Sequence, residues 1–137
     1  MKRVTYWYEK LLASVINVTF VVIIFIPLFF LTKFDWKFLL ISIFFIYNLF
    51  FLIFNKNRAL GMIILKTYWK KNYPFINCFI FIILYTLSFS TLLFYIYFPL
   101  DLFWANMLFL QLPTIILKKT TFHGWLSGNM IGVKRVR

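Results

Sequence analysis

The chain has 137 residues, enough for one domain, with 64% hydrophobic and only 13% charged residues. Soluble globular proteins are about half apolar and about a quarter charged, so this chain lacks the polar surface that a water-soluble domain needs. Its single cysteine, Cys78, excludes a disulfide scaffold. With a net charge of +12 and three acidic residues, the chain has the composition of a basic integral membrane protein.

Four uncharged apolar runs predict four transmembrane helices, at about residues 11–32, 38–55, 73–98 and 101–117. A spanning helix needs roughly 17–25 residues. The third and fourth runs are interrupted only by Asp101. One helix through both would be roughly 70 Å long, against a hydrocarbon core of about 30 Å. We therefore predict a turn at Pro99–Asp101 and an all-α membrane protein, a four-helix transmembrane bundle in a single domain over 1–137.

The 15 Lys and Arg residues are distributed unevenly along this arrangement. Four spans place thirteen of them on one side and only Lys33 and Lys37 on the other. The positive-inside rule then predicts that both termini, the loop 56–72 and the tail 118–137 face the cytoplasm, in a bacterial cytoplasmic membrane. Six of these cations are candidate contacts for anionic lipid headgroups: Lys56, Arg58, Lys70, Lys71, Lys118 and Lys119. We predict no nucleic-acid partner, because no basic helix carries readable polar positions beside the charges.

The predicted loop and tail each contain a candidate strand. Gly61 permits a tight turn, and the segment from Ile63 to Tyr68 is rich in residues that favour strands. Met130–Val136 is the second candidate. The two segments could pair as a small cytoplasmic strand pair, or each could lie as a basic interfacial loop on anionic lipid. The sequence leaves both arrangements open.

Away from the ends of the apolar runs there are five amide side chains: Asn17, Asn48, Asn77, Asn106 and Gln111. A hydrogen bond between membrane helices contributes on average about 0.6 kcal/mol, so Asn17→Leu is predicted to cost less than about 1.5 kcal/mol. The alternative is that the amides line a polar path, with the single histidine, His123, as a cytoplasmic gate. His123 could switch charge near neutral pH or serve as a structural hydrogen-bonding residue.

The sequence lacks the groups of residues that usually carry catalysis or proton transfer. Away from their edges, the apolar runs contain no acidic, basic or imidazole side chain, and proton-coupled transport needs such groups at membrane depth. One histidine and one cysteine cannot form a metal cluster, and no catalytic triad or phosphate-binding loop occurs. We therefore predict no enzyme activity, no cofactor and no metal.

Three segments together resemble the RDD family of small integral membrane proteins. The family begins with an Arg-Leu-Ala-Ala-like helix start followed by an Asp, and here Lys10 opens Lys-Leu-Leu-Ala and leads to Asn17. It continues with a Gly-containing loop before an apolar strand, which corresponds here to Gly61. It ends with a His-Asp-x-x-Ala-Gly-Thr-like stretch before a Val-rich strand, corresponding here to the segment from His123 to Asn129.

The resemblance covers nearly the whole chain and implies one RDD-like transmembrane domain. It marks six motif positions, Lys10, Asn17, Gly61, His123, Gly124 and Gly128. The family is named for an arginine and two aspartates, which are replaced here by Lys10, Asn17 and Gly124. Lysine keeps the charge without the bidentate fork, whereas the other two positions lose their carboxylates. Cation/proton exchange, attributed to some members of the family, could therefore not use the same charges here.

Two functions follow as hypotheses. The first is a non-catalytic membrane component that packs with itself as a homo-oligomer, or with a membrane-protein partner, and presents a basic cytoplasmic face to anionic lipid. The alternative is a small-cation or proton-coupled transporter. Convergence of the five amides on a hydrated cavity would favour transport, whereas their dispersal among helix pairs would favour a structural role.

Overall fold

A computed structural model describes residues 2–33, 35–91, 93 and 105–135. The described chain is mostly helical and includes a small sheet. Its elements, in order, are β1 (Lys2–Val4), α1 (Trp7–Leu31), α2 (Trp36–Phe54), α3 (Leu60–Ile64), β2 (Thr67–Trp69), α4 (Phe75–Ser90), a π-helix (Asn106–Gln111), α5 (Leu112–Lys118), α6 (Phe122–Leu126) and β3 (Gly132–Arg135). The predicted turn at Pro99–Asp101 lies outside the described residues.

Two helices are long and apolar enough to cross a membrane, judged by length and composition within the described ranges. They are α1, with 25 residues, and α2, with 19. The helix α4 and the continuous helix Asn106–Lys118 are also apolar but shorter. The start of α2 is fixed by Asp35, whose side chain accepts a hydrogen bond from the backbone N–H of Lys37 at 2.9 Å, as an N-cap does.

The helices pack through aromatic and branched side chains. Phe44 of α2 stacks on Phe89 of α4 with ring centroids 4.2 Å apart, and it meets Tyr85 edge-on at 5.0 Å. Val21 of α1 is fully buried in the same cluster. The outward faces are equally apolar, and several large side chains there are between 72% and 80% exposed: Phe30, Leu31, Phe54, Phe109 and Leu117. These faces are suited to contact with lipid rather than water.

The loop after α2 and the C-terminal tail pair with one another in the structure. Within the described residues they belong to a three-stranded antiparallel sheet of order β1-β3-β2, in which Val133 faces Val4 on one side and Tyr68 on the other. The N-terminal strand β1 was not predicted from the sequence. The sequence predicted an all-α fold with a strand pair. The structure is instead a mostly helical fold with a three-stranded sheet.

The predicted strand in the loop is shorter than expected. Residues Leu60–Ile64 form the short helix α3, and the strand begins only at Thr67. A five-residue helix is unstable alone. Here the first N–H groups of α3 are satisfied by side chains of α1 and α2, a tertiary interaction that overrides the strand preference of Ile63 and Ile64.

Candidate functional site

Asn17 lies at the centre of a polar network that joins four helices. Its Oδ1 accepts hydrogen bonds from the Tyr47 hydroxyl of α2 at 2.9 Å and from the Gly61 N–H of α3 at 2.8 Å. Its Nδ2 donates to the Tyr85 hydroxyl of α4 at 3.4 Å, and that hydroxyl donates to Ser14 Oγ at 2.9 Å. Asn17 is only 4% exposed. This one amide therefore uses both of its polar atoms to hold the helices together.

The same network caps α3. The first N–H groups of a helix have no partner within the helix. In α3, the Leu60 N–H donates to the Tyr47 hydroxyl at 3.1 Å, and the Gly61 N–H donates to Asn17. Gly61 also allows α3 to approach α1 closely, because a Cβ at this position would lie 2.2 Å from the carbonyl oxygen of Ala13.

An inner cavity of about 90 Å³ lies beside this network, between the helices and the sheet. Its polar lining comes from α1, α2, α4, the loop and the tail, and includes Glu9, Lys10, Asn17, Asn48, Asn57, Thr120 and His123. Four of the predicted site residues, Lys10, Asn17, Asn48 and His123, thus meet at one place. Lys10 Nζ donates to the carbonyl oxygen of Thr5 at 3.0 Å and also to Thr5 Oγ1.

Glu9 ties α1 to the sheet and was missed in the sequence analysis. Arg3 and Lys134 face each other across β1 and β3, and like charges in this position destabilise a sheet. The Glu9 carboxylate lies between them, with Oε1 2.6 Å from Arg3 Nη1 and Oε2 3.3 Å from Lys134 Nζ. Oε1 also accepts from the Tyr6 N–H at 3.0 Å. Its position as the lone acid in a basic segment was the signal that could have revealed it.

His123 is a buried, stacked residue. Its ring lies parallel to Tyr85, with centroids 4.8 Å apart, and meets Phe81 edge-on at 4.9 Å. The side chain is 6% exposed, and its Nδ1 has no hydrogen-bond partner among the described residues. Burial disfavours the charged imidazolium and lowers the pKa of His123 to about 3. The ring is therefore neutral at physiological pH. This disagrees with the hypothesis that His123 switches charge near neutral pH.

We expect this burial to make stability depend on pH. The unfolded chain binds a proton at His123 below about pH 6.5, whereas the folded chain does not until about pH 3. The free energy of unfolding should therefore fall with decreasing pH between these values, by up to about 1.4 kcal/mol per unit. His123→Phe keeps the ring packing and removes the titration. Denaturation between pH 7.5 and 4.5 should show a flatter dependence in the variant, and parallel curves would contradict the assignment.

The remaining amides do not join the inner cavity. Asn106 Nδ2 donates to Ser88 Oγ at 2.8 Å, and Gln111 Nε2 donates to Asn106 Oδ1 at 3.2 Å. The π-helix allows this last contact because its hydrogen bonds connect residues five apart. Asn77 instead lies beside Gly128. The five amides are thus divided among three places, and the predicted single polar path is not formed in the described residues.

The two motif glycines of the tail have steric roles. Gly128 has a φ of +117°, which side chains rarely adopt, and a Cβ there would lie 2.6 Å from Asn77 Nδ2. At Gly124 a Cβ would lie 2.5 Å from Thr120 Oγ1. The carbonyl oxygen of Gly124 accepts from the Met130 N–H at 2.9 Å. Both glycines therefore let the tail turn tightly back toward the helices before β3.

The candidate lipid-contact cations differ in their surroundings. Arg58 Nε donates to the Thr67 carbonyl oxygen at 3.0 Å, and its guanidinium lies 4.0 Å from the Tyr68 ring centroid. Arg58 therefore supports β2 in addition to any role at the surface. The five lysines among these candidates are all exposed, and Lys71 and Lys118 also lie over aromatic rings: Lys56, Lys70, Lys71, Lys118 and Lys119.

An outer groove of about 440 Å³ adjoins the inner cavity. It lies between α1, α4 and the helix Asn106–Lys118, and its lining is mainly apolar, including Val15, Val18, Phe89 and Ile115. Within the described ranges, no three His, Cys, Asp or Glu side chains are close enough to share a metal ion. The site therefore offers an apolar groove beside a smaller cavity that carries more polar side chains.

Comparison with protein-family models, with curated proteins and with solved structures found no match for this chain. The resemblance to the RDD family remains a prediction from three sequence segments.

Proposed function

We propose that the chain is a four-pass integral membrane protein, an RDD-like component without enzyme activity, whose two termini and central loop lie on the cytoplasmic side. The observation that supports this topology is the sheet, which joins residues 2–4, 67–69 and 132–135. Two apolar helices, α1 and α2, separate the first pair of strands, and α4 and Asn106–Lys118 separate the second. Strands that share a sheet lie on one side of a membrane, which requires an even number of crossings between them.

The outer surface agrees with membrane insertion. Only 17% of the most apolar stretch of α1 and 33% of that of α2 is buried inside the protein. The core helix of a soluble protein is mostly buried, whereas these helices expose apolar side chains that need lipid or a partner. The cations of the loop and tail, exposed at the sheet end of the helices, provide the basic face for anionic headgroups of a bacterial cytoplasmic membrane.

The network at Asn17 favours a structural role over transport. A transported ion needs polar groups free to coordinate it. The two polar atoms of Asn17 are instead engaged by Tyr47, Gly61 and Tyr85. Asn48 bonds to its own helix, and Asn106 and Gln111 bond to Ser88 of α4 and to each other. We infer that these polar residues fix the helix arrangement of a component that assembles with itself or with another membrane protein.

Cysteine labelling tests the topology. In a Cys78→Ser background, Lys33→Cys, Lys70→Cys and Lys118→Cys each place one thiol at an exposed position. A membrane-impermeant maleimide should label Lys33→Cys in intact spheroplasts, and the other two only after permeabilisation. Labelling of Lys70→Cys and Lys118→Cys from opposite sides would refute the four-pass arrangement. Saturable cation flux driven by a pH gradient in proteoliposomes, above that of empty vesicles, would establish the transporter instead.

A further inference from the structure

The inner cavity and the outer groove share part of their walls. Lys10, Ser14, Tyr85, Thr121 and His123 line both. The lining of the inner cavity is mainly apolar but carries more polar side chains than that of the larger groove. An amphiphile could therefore place its polar end at the shared wall and its apolar part in the groove.

The groove has the dimensions of a single acyl chain. It follows α1 from Trp7 to Thr19, a distance of about 18 Å at the helical rise of about 1.5 Å per residue. Half of the hydrocarbon core of a bilayer is about 15 Å thick. The volume of 440 Å³ falls within the range of roughly 300–1,000 Å³ that is usual for small-molecule sites.

The shared wall offers a positive charge and an unsatisfied polar atom. An ammonium group has three N–H donors, and Lys10 uses two of them on Thr5. His123 is 6% exposed, and its Nδ1 finds no partner among the described residues. The nearby Glu9 carboxylate is offset by Arg3 and Lys134. These groups match a small anion with hydrogen-bonding oxygens.

The few polar groups at the shared wall restrict the headgroup. The inner cavity has a volume of about 90 Å³, against about 440 Å³ for the groove. One ammonium and one imidazole face this space, and they suit a single compact anionic group such as a carboxylate. We propose that the groove and the inner cavity together bind one long-chain fatty acid, with its carboxylate at Lys10 and His123 and its chain against Val18, Phe89 and Ile115. This site is additional to the proposed surface contacts with lipid headgroups, and its test does not depend on the topology.

Photolabelling tests the site directly. The full chain in phosphatidylcholine nanodiscs is irradiated with palmitate carrying a diazirine near the end of its chain. We expect a single adduct per chain, mapped to peptides of α1 or α5 that line the groove. Oleate should suppress the adduct, whereas oleyl alcohol, which has the same chain without the charge, should compete at least about tenfold less well. Equal competition by the two, or stronger competition by phosphatidylglycerol, would overturn the proposal.

Neighbouring residues on α5 provide matched variants. Ile115 lines the groove, whereas Ile116 is 65% exposed on the outer surface. Ile115→Trp should fill the groove and abolish saturable labelling, and Ile116→Trp should leave it unchanged. Lys10→Met should weaken competition by oleate at least about tenfold without affecting oleyl alcohol, and Lys10→Arg should restore it. Labelling of Ile115→Trp at the level of the unsubstituted chain would exclude this groove as the site.

Discussion

Gly61→Ala should strongly destabilise the protein, although alanine is the better helix former. At an unconstrained helical position, replacing glycine by alanine stabilises by roughly 0.5–1 kcal/mol. Here the new Cβ would lie 2.2 Å from the carbonyl oxygen of Ala13, which is backbone and cannot rotate away. The helices α1 and α3 would have to separate, breaking the hydrogen bond to Asn17. We expect a loss of more than about 3 kcal/mol in the free energy of unfolding, measured by denaturation in detergent.

Gly132→Ala is the matched control. A Cβ at Gly132 would lie 3.2 Å from Thr5 Oγ1, a side-chain atom that can shift by a few tenths of an ångström. This variant should change the free energy of unfolding by less than about 1 kcal/mol. A stabilising effect of Gly61→Ala would show that α1 and α3 are not in contact as described.

Asn17→Leu should cost considerably more than the average for polar contacts between membrane helices. The sequence alone predicted a cost below about 1.5 kcal/mol, on the basis of that average. The structure shows that the substitution would leave the buried Gly61 N–H and the Tyr47 hydroxyl without their acceptor. Each unsatisfied buried group costs about 1–3 kcal/mol, so we now expect a loss of about 2–6 kcal/mol in chemical denaturation.

Asn48→Leu tests whether the cost of Asn17→Leu comes from the lost network or from replacing a buried amide. Asn48 is also 4% exposed, but the bond that its Nδ2 makes is to the Phe44 carbonyl oxygen of its own helix. The same substitution there should cost less than about 1.5 kcal/mol, because it removes no acceptor that another helix depends on. Similar losses for the two variants would mean that amide burial, rather than the network, determines the cost. Asn17→Asp keeps the acceptor and should be less damaging than Asn17→Leu.

Local features of the sequence were sufficient to locate the long helices. The apolar runs at 11–32 and 38–55 correspond to α1 and α2, because composition and length determine where an apolar helix can form. The tail strand was also located, with β3 inside the predicted Met130–Val136. Composition could not distinguish α3 from a strand, since Ile63 and Ile64 favour strands, and the helix depends on capping groups from distant parts of the chain.

The sequence by itself determined the apolar helices, the concentration of positive charge in three segments, and the identity of several polar residues that matter. Only the tertiary structure decided which of them meet. It brought Lys10, Asn17, Asn48 and His123 to one cavity while leaving Asn77, Asn106 and Gln111 elsewhere, and it placed Glu9 between two cations. The physical reason is that hydrophobicity and charge act along the chain, whereas a hydrogen-bonded network depends on how helices distant in sequence are rotated against one another.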